Sequence, residues 1–227
     1  MVGRLAMPDG NGRAPAVLIA HGAPGLDDYV RSRPEMFARL GYVSLAIDYH
    51  GGGRVLTGPG EQAERMEVIG SNPELLRTLG AAGLAALVGH ERVDPTRVAA
   101  VGYCFGAVVA MELARSGADL RAVIGLHPGL TSPRPSDSQR ITARVLMCVG
   151  ADDPIVGPKE RLAFESEMRE AGVRWEMILY GGVKHRFTDP NAAAAGNPAL
   201  AYNEVAARRS WRAVVDFLDE TLNAPTP

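Results

Sequence analysis

Short runs of apolar residues, separated by stretches with helical patterns, recur along most of the 227-residue chain. The runs are continuous and rich in β-branched residues, which is typical of parallel strands buried on both faces. Strands that alternate with helices predict an α/β fold, with a mostly parallel central sheet covered by helices on both faces. The predicted strands span residues 2–7 (an N-terminal edge strand), 16–20, 43–47, 97–101, 122–126, 145–149 and 173–180.

Proline, glycine and capping residues mark the ends of the predicted helices. Ser71 lies three residues before Glu74, which is the spacing of a capping box, so Ser71 is predicted to cap a helix that begins near Pro73. The other predicted helices span residues 34–41, 158–172 and 201–222, the last with an amphipathic pattern.

Two segments fit no strand–helix repeat. Residues 51–70 are rich in glycine and charge, and residues 127–140 contain three prolines. Both follow predicted strands, and loops at the carboxyl ends of parallel strands build binding sites, so we expect both segments to line the site. Composition shows no break and no repeat, which favours a single domain over 1–227.

Charge and cysteine content exclude several classes of protein. Lys and Arg total 24 against 26 Asp and Glu, for a net charge of −2, so we expect no nucleic-acid partner. No apolar run approaches the roughly 20 residues of a membrane span, and no export signal is recognised, so we expect no membrane association. The two cysteines, Cys104 and Cys148, are typical of a reduced, cytoplasmic protein and exclude a disulfide scaffold.

The most informative motif is Gly-Tyr-Cys-Phe-Gly at 102–106, between a predicted strand and a predicted helix. It is the cysteine version of the nucleophile elbow, in which the two glycines let strand and helix backbones approach closely. Cys104 would lie at the tip, beside a helix N-terminus that favours a thiolate. Free cysteines are more often small core residues, but this placement favours a nucleophile.

A thiol nucleophile needs a base, and the base needs an orienting acid, in the chain order nucleophile, acid, histidine. His185 follows the last predicted strand and is the candidate base. Asp153 is the candidate acid and is favoured over Asp152, because Pro154 would hold it extended. His90 precedes a strand, and no acid loop comes before the remaining histidines, which are His21, His50 and His127.

The backbone N–H groups of Phe105 and Ala23 are the predicted oxyanion donors. Ala23 lies in the loop 21–25, whose small residues would let a substrate approach, although an ordinary glycine–proline turn has the same composition. The glycine run 51–53 lacks the pattern of a phosphate loop, and no residue cluster has metal-ligand spacing. The sequence therefore predicts neither a cofactor nor a metal.

Together these motifs resemble the dienelactone hydrolase family, whose members have the α/β-hydrolase fold. The resemblance implies a triad of Cys104, Asp153 and His185, with oxyanion donors from Ala23 and Phe105. It also implies cofactor-independent hydrolysis of small esters or lactones through an acyl-thiol intermediate. The matching segments are G-Y-C-F-G at 102–106, G-A-D-D-P at 150–154, G-x-x-H-x-F at 182–187 and L-G-Y-V-S-L-A-I-D at 40–48.

Two positions depart from the family pattern. Enzymes that open dienelactone carry a glutamate where this chain has Gly22, and an arginine for the substrate carboxylate where it has Asp189. Arg65 is a loose match for a second substrate arginine. These departures weigh against dienelactone itself as the substrate. The predicted substrate-binding residues are Gly22, Arg65, Tyr103 and His127.

Two other functions are open at this point. The departures at the site would suit a catalytically inactive protein that binds a small molecule on the same fold, although the retained Cys, Asp and His oppose it. Cys104 could instead be a redox sensor with Cys148 as its resolving partner. Cys148 lies in the middle of a predicted buried strand, which weighs against that role.

Overall fold

The computed structural model describes residues 2–223, and its strands join in one seven-stranded sheet. The strands are β1 (Gly3–Ala6), β2 (Ala14–Ala20), β3 (Val43–Ile47), β4 (Val93–Tyr103), β5 (Ala122–Leu126), β6 (Arg144–Gly150) and β7 (Trp175–Tyr180). Their order across the sheet is β1-β3-β2-β4-β5-β6-β7, and β1 alone pairs antiparallel. The predicted mostly parallel α/β fold is confirmed, whereas the predicted domain also includes residues outside the described part.

Helices cover both faces of the sheet. They are α1 (Asp28–Arg31), α2 (Arg33–Ala38), α3 (Pro59–Gly70), α4 (Pro73–Val88), α5 (Phe105–Arg115), α6 (Pro158–Glu170) and α7 (Glu204–Leu218). Successive residues of a strand point to opposite faces. Accordingly, Leu18 of β2 joins a core with Leu76 of α4, and its neighbour Val17 joins a second core with Phe37 of α2 and Val214 of α7.

The predicted cap of α4 is wrong by one residue. The side chain of Asn72, not Ser71, accepts a hydrogen bond from the N–H of Leu75 at 3.1 Å. Ser71 has the backbone angles of a helix, φ −74° and ψ −12°, because it ends the preceding helix α3. An N-cap residue needs an extended backbone, so Ser71 cannot be the N-cap of α4.

The segment predicted as irregular over 51–70 is half helix. Its second part forms α3, which begins with Pro59 at the first turn, where a proline is well tolerated. Ile69 is the one fully buried residue of this helix. A helix that buries so little has a weak apolar period, which is why the sequence pattern did not reveal it.

The second irregular segment ends in a short 3-10 helix, Pro135–Arg140, tied down by buried charges. Arg115 of α5 is 1% exposed and donates hydrogen bonds to Ser138 at 2.9 Å, Glu112 at 3.0 Å and Glu167 at 2.6 Å. A buried guanidinium is tolerated when its donors are satisfied in this way. The network anchors the segment to α5 and α6.

Within residues 2–223, no helix has both the length and the apolar character that a membrane crossing requires.

Candidate active site

The strand β4 turns sharply into helix α5 at Cys104, whose backbone angles are φ 55° and ψ −120°. A side chain on Gly102 would overlap the backbone of Ala107, and one on Gly106 would overlap the carbonyl oxygen of Ala20. Both glycines are therefore required by close backbone packing. The packing holds Cys104 in a strained conformation at the tip of the turn, as in a nucleophile elbow.

Asp153 and His185 lie together beyond the carboxyl ends of β6 and β7. The Nδ1 atom of His185 is 2.6 Å from Oδ2 of Asp153, and both side chains are buried. The other carboxylate oxygen of Asp153 accepts the N–H groups of Ile155 and Val156 at 2.8 and 3.2 Å. Asp152, the alternative acid, is exposed to solvent.

His185 and Cys104 favour each other's charged form. Burial alone would lower the pKa of His185, but the nearby Cys104 and Asp153 raise it to about 10. Burial alone would raise the pKa of the Cys104 thiol. The charge of His185, together with the N–H groups of Phe105 and Ala23 near the sulfur, outweighs burial, and this pKa falls below its usual value. The arrangement favours a thiolate–imidazolium pair.

Phe105 and Ala23, which carry the two predicted oxyanion donors, line the same cavity as Cys104, and their N–H groups help to lower the pKa of its thiol. Tyr49 stabilises the loop that carries Ala23 through two contacts with His21. The hydroxyl of Tyr49 donates to the carbonyl of His21 at 2.5 Å, and the two rings stack at 3.8 Å between centroids. These contacts fix the loop that carries Ala23 beside Cys104.

Cys104 and His185 open on a cavity of about 350 Å³. Of the predicted substrate-binding residues, Gly22, Tyr103 and His127 line it. Arg65 does not, because its guanidinium turns away and donates to the carbonyl of His50 at 2.7 Å. Helix α3 instead presents Gln62, Ala63 and Met66 to the cavity.

An ion pair at this cavity was not predicted from the sequence. Arg186 and Asp27 both line it, and their side chains are 2.8 Å apart. Arg186 also donates to Asp189 at 2.7 Å, so two carboxylates neutralise it. Among the described residues it is the one lysine or arginine at the cavity. Its position directly after His185 was the available signal.

His127 is a neutral residue beside His185. Its ring centroid is 5.3 Å from that of His185, and its Nε2 is 2.8 Å from Oγ1 of Thr188. Burial lowers the pKa of His127 well below its usual value, and the charges of His185 and Arg186 lower it further. A neutral imidazole at this place does not compete with Cys104 for the charge on His185.

Cys148 is fully buried in β6, and burial raises the pKa of its thiol to about 12. A thiol that stays protonated and out of reach of solvent is a poor nucleophile. The geometry therefore gives no support to Cys148 as a resolving partner.

The fold and its cysteine elbow define an α/β-hydrolase. A sequence model described as "Dienelactone hydrolase family" matches residues 1–222. The chain belongs to the dienelactone hydrolase family, which confirms the resemblance, and it is an enzyme of the hydrolase class.

Known proteins resemble the chain over most of its length. The solved structure "m3DLH" is 41% identical and covers 97% of this chain and 92% of its own, with a TM-score of 0.94. A dienelactone hydrolase-like promiscuous phosphotriesterase from metagenomic libraries is 35% identical, covers 96% and 92%, and has a TM-score of 0.93. A Bradyrhizobium protein named "Probable 2-oxo-3-(5-oxofuran-2-ylidene)propanoate lactonase" is 26% identical over 231 residues, 94% of this chain and 87% of that protein.

Proposed function

We propose that the protein hydrolyses small, uncharged esters or lactones without a cofactor, through an acyl-thiol intermediate on Cys104. One observation carries the proposal. Cys104 lines one cavity with Ala23, Phe105 and His185, and His185 is oriented by Asp153 at 2.6 Å. This is the arrangement that acyl transfer needs: a nucleophile, a base with its orienting acid, and an oxyanion hole.

In the first half of the reaction, the Cys104 thiolate attacks the carbonyl carbon and forms a C–S bond. The carbonyl electron pair moves to oxygen, and the N–H groups of Phe105 and Ala23 stabilise that oxyanion. When the tetrahedral intermediate collapses, the C–O bond breaks. The leaving alkoxide takes the proton of the His185 imidazolium, which leaves an acyl-thiol enzyme and a neutral imidazole.

In the second half, His185 takes a proton from water as the water attacks the acyl-thiol carbon. The second tetrahedral intermediate releases the carboxylic acid and breaks the C–S bond. Cys104 returns as a thiolate and His185 as an imidazolium, so the starting pair is restored. Asp153 keeps the proton on Nδ1 throughout, which leaves Nε2 free for each transfer.

The charges at the cavity set the substrate class. The lining of the cavity is mostly apolar, and the positive charge of Arg186 is already shared between Asp27 and Asp189. A substrate carboxylate would enter without a free cation to receive it, at a large desolvation cost. The esters and lactones favoured here therefore carry no charge. Dienelactone, which carries a carboxylate, is therefore a poor substrate, as Gly22 and Asp189 already indicated.

Hydrolysis of p-nitrophenyl acetate and butyrate tests the proposal. We expect turnover by the wild-type protein and its loss in Cys104→Ala. The matched control is Cys148→Ala, which removes the buried thiol and keeps the rate per folded molecule. Turnover that survives in Cys104→Ala would show that the nucleophile is another group.

The alternative function, a catalytically inactive binding protein, makes the opposite prediction for the same experiment. It expects no turnover by the wild type above that of Cys104→Ala for any ester of a broad panel. A covalent acyl adduct on Cys104, seen by mass spectrometry after rapid acid quenching, would favour the hydrolase over the inactive binding protein. Dialysis against EDTA should leave the rate unchanged, because no step of the mechanism uses a metal.

A further inference from the structure

A second cavity, of about 390 Å³, lies behind one wall of the active-site cavity. Tyr29 and Tyr103 line both cavities and therefore form the shared wall. Thr188 joins this wall, since its hydroxyl bonds to the Tyr29 hydroxyl and to Nε2 of His127. None of the residues assigned to the proposed hydrolysis, which are Cys104, Asp153, His185, Ala23 and Phe105, lines this second cavity.

Two arginines at the second cavity have no acidic partner. Arg33 and Arg208 both line it, and neither forms an ion pair within the described chain. The guanidinium of Arg33 lies over the ring of Tyr29 at 4.3 Å, and its Nε donates to the Tyr29 carbonyl at 3.2 Å. The terminal nitrogens of Arg33 make no hydrogen bond among the described residues, and its guanidinium lies near the Tyr103 hydroxyl. Glu204, which also lines the cavity, is exposed and does not pair with either arginine.

A buried hydroxyl on the shared wall is also without a partner. Tyr103 is 2% exposed, and no hydrogen bond to its hydroxyl is present among residues 2–223. Burial raises the pKa of Tyr103 to about 12 despite the nearby charge of Arg33, so the hydroxyl keeps its proton and is a donor. Buried polar groups are nearly always hydrogen-bonded, so this donor indicates a missing acceptor on the Arg33 side.

The rest of the lining is apolar and aromatic. Trp211, Met36 and Leu126 contribute to it, and Trp211 packs against Phe37 at 5.1 Å between ring centroids. Aromatic walls suit a flat apolar body, and arginine nitrogens with a tyrosine hydroxyl suit a carboxylate. The two requirements describe one kind of molecule, a small aromatic carboxylate.

We propose that the second cavity is a binding site for a small aromatic monocarboxylate, held by Arg33, Arg208 and the hydroxyl of Tyr103. The carboxylate lies against the two guanidinium groups and accepts the Tyr103 hydrogen bond. The ring lies against Trp211. The site does not depend on the hydrolase chemistry, because Cys104 and His185 open on the other side of the shared wall.

Calorimetric titration with phenylacetate tests this site. The protein is first alkylated at Cys104 with iodoacetamide, which occupies the active-site cavity. We expect phenylacetate to bind and the uncharged isostere phenylacetamide to bind at least tenfold more weakly. Arg33→Gln and Arg208→Gln should each weaken phenylacetate binding about tenfold, since hydrogen bonds between charged groups are the stronger ones. The matched control Arg209→Gln, one residue along α7 and outside the cavity, should bind as the wild type does.

Tryptophan fluorescence locates the ligand independently. The chain has two tryptophans, so Trp175→Phe leaves Trp211 as the single reporter. We expect phenylacetate to change the emission of Trp175→Phe and to leave that of Trp211→Phe unchanged. Equal affinity for phenylacetamide, full binding by Arg33→Gln, loss of binding on alkylation of Cys104, or no binding at millimolar phenylacetate would each overturn the proposal. Ester hydrolysis is measured separately, so the two proposals fail independently.

Discussion

His185 presents one nitrogen to Asp153, at 2.6 Å, and has no hydrogen-bond partner in the described part of the protein for the other. The carboxylate therefore fixes the neutral tautomer with its proton on Nδ1, which leaves Nε2 for the transfers proposed above. Replacing Asp153 with asparagine keeps the shape and removes this control. We expect Asp153→Asn to lower kcat for p-nitrophenyl butyrate by about 10³–10⁴-fold with little change in the thermal unfolding temperature.

Asp152→Asn is the control for this prediction, because Asp152 is exposed and makes no contact with His185. Its kcat should stay within twofold of the wild type. Equal losses in the two variants would show that the aspartates act through the loop and not through the imidazole.

The pairing of Cys104 with His185 predicts the pH dependence of alkylation. The thiol pKa is lowered in the folded protein, so iodoacetamide should react with Cys104 below the usual thiol pKa of about 8.5. His185→Gln removes the cation, leaving burial to raise the pKa, and the alkylation profile should move to higher pH. Mass spectrometry of Cys104 across pH measures both profiles. Coincident profiles would contradict the ion pair.

The charge at the cavity predicts how substrate choice can be changed. Asp27→Asn keeps the side-chain oxygen that caps α1 and removes one of the two carboxylates that neutralise Arg186. We expect KM for a negatively charged ester, p-nitrophenyl hemisuccinate, to fall about fivefold, or ~1 kcal/mol, relative to the uncharged p-nitrophenyl butyrate. A parallel change in KM for both esters would show a general effect on the cavity.

The elbow glycines predict a large loss of stability on substitution. Gly102→Ala would place a methyl group inside the backbone of Ala107, where no flexible side chain can yield. We expect a loss of at least about 3 kcal/mol in the free energy of unfolding, measured by urea denaturation. Gly60→Ala is the matched control, since space around Gly60 in α3 is open, and it should be neutral or stabilising by ~0.5–1 kcal/mol.

The buried ion network predicts a second stability effect. Arg115→Met leaves the buried carboxylate of Glu167 without a cation, while Glu112 keeps its pair with Arg77, and we expect a cost of about 3–5 kcal/mol. Arg169→Met breaks an exposed pair with Glu165 at 3.8 Å and should change stability by no more than ~0.5 kcal/mol. Similar values for the two variants would mean that the network contributes no more than a surface pair.

Local patterns in the sequence were sufficient to locate the strands of the sheet. The strands 43–47 and 122–126 were predicted to the residue, because a strand buried on both faces is mostly apolar; Ser44 is tolerated since its hydroxyl donates to the carbonyl of Pro34. The motif at 102–106 also identified the strand-to-helix turn, because only glycine fits at the two positions where backbones pack closely. Both features depend on neighbouring residues in the chain.

Features that depend on distant residues were not predictable in this way. Arg186 pairs with Asp27 across 159 residues of the chain, and no local sequence pattern predicts a contact at that separation. Arg65 was assigned to the substrate by a loose alignment, but the rotation of α3 decides which of its residues reach the cavity. Ser71 and Asn72 are both good cap residues. Ser71 is helical because it ends the preceding helix, so only the extended Asn72 can cap α4.

The contact of Gly106 with Ala20 and His21 has a consequence for how enzymes of this kind change. The helix that starts after the thiol rests directly on the strand end from which the loop of Ala23 departs. The distance between the sulfur and its N–H donor is thus set by two main chains in contact. Side chains around the cavity can be exchanged, and the preferred substrate altered, without moving the atoms that would carry out the bond-breaking steps.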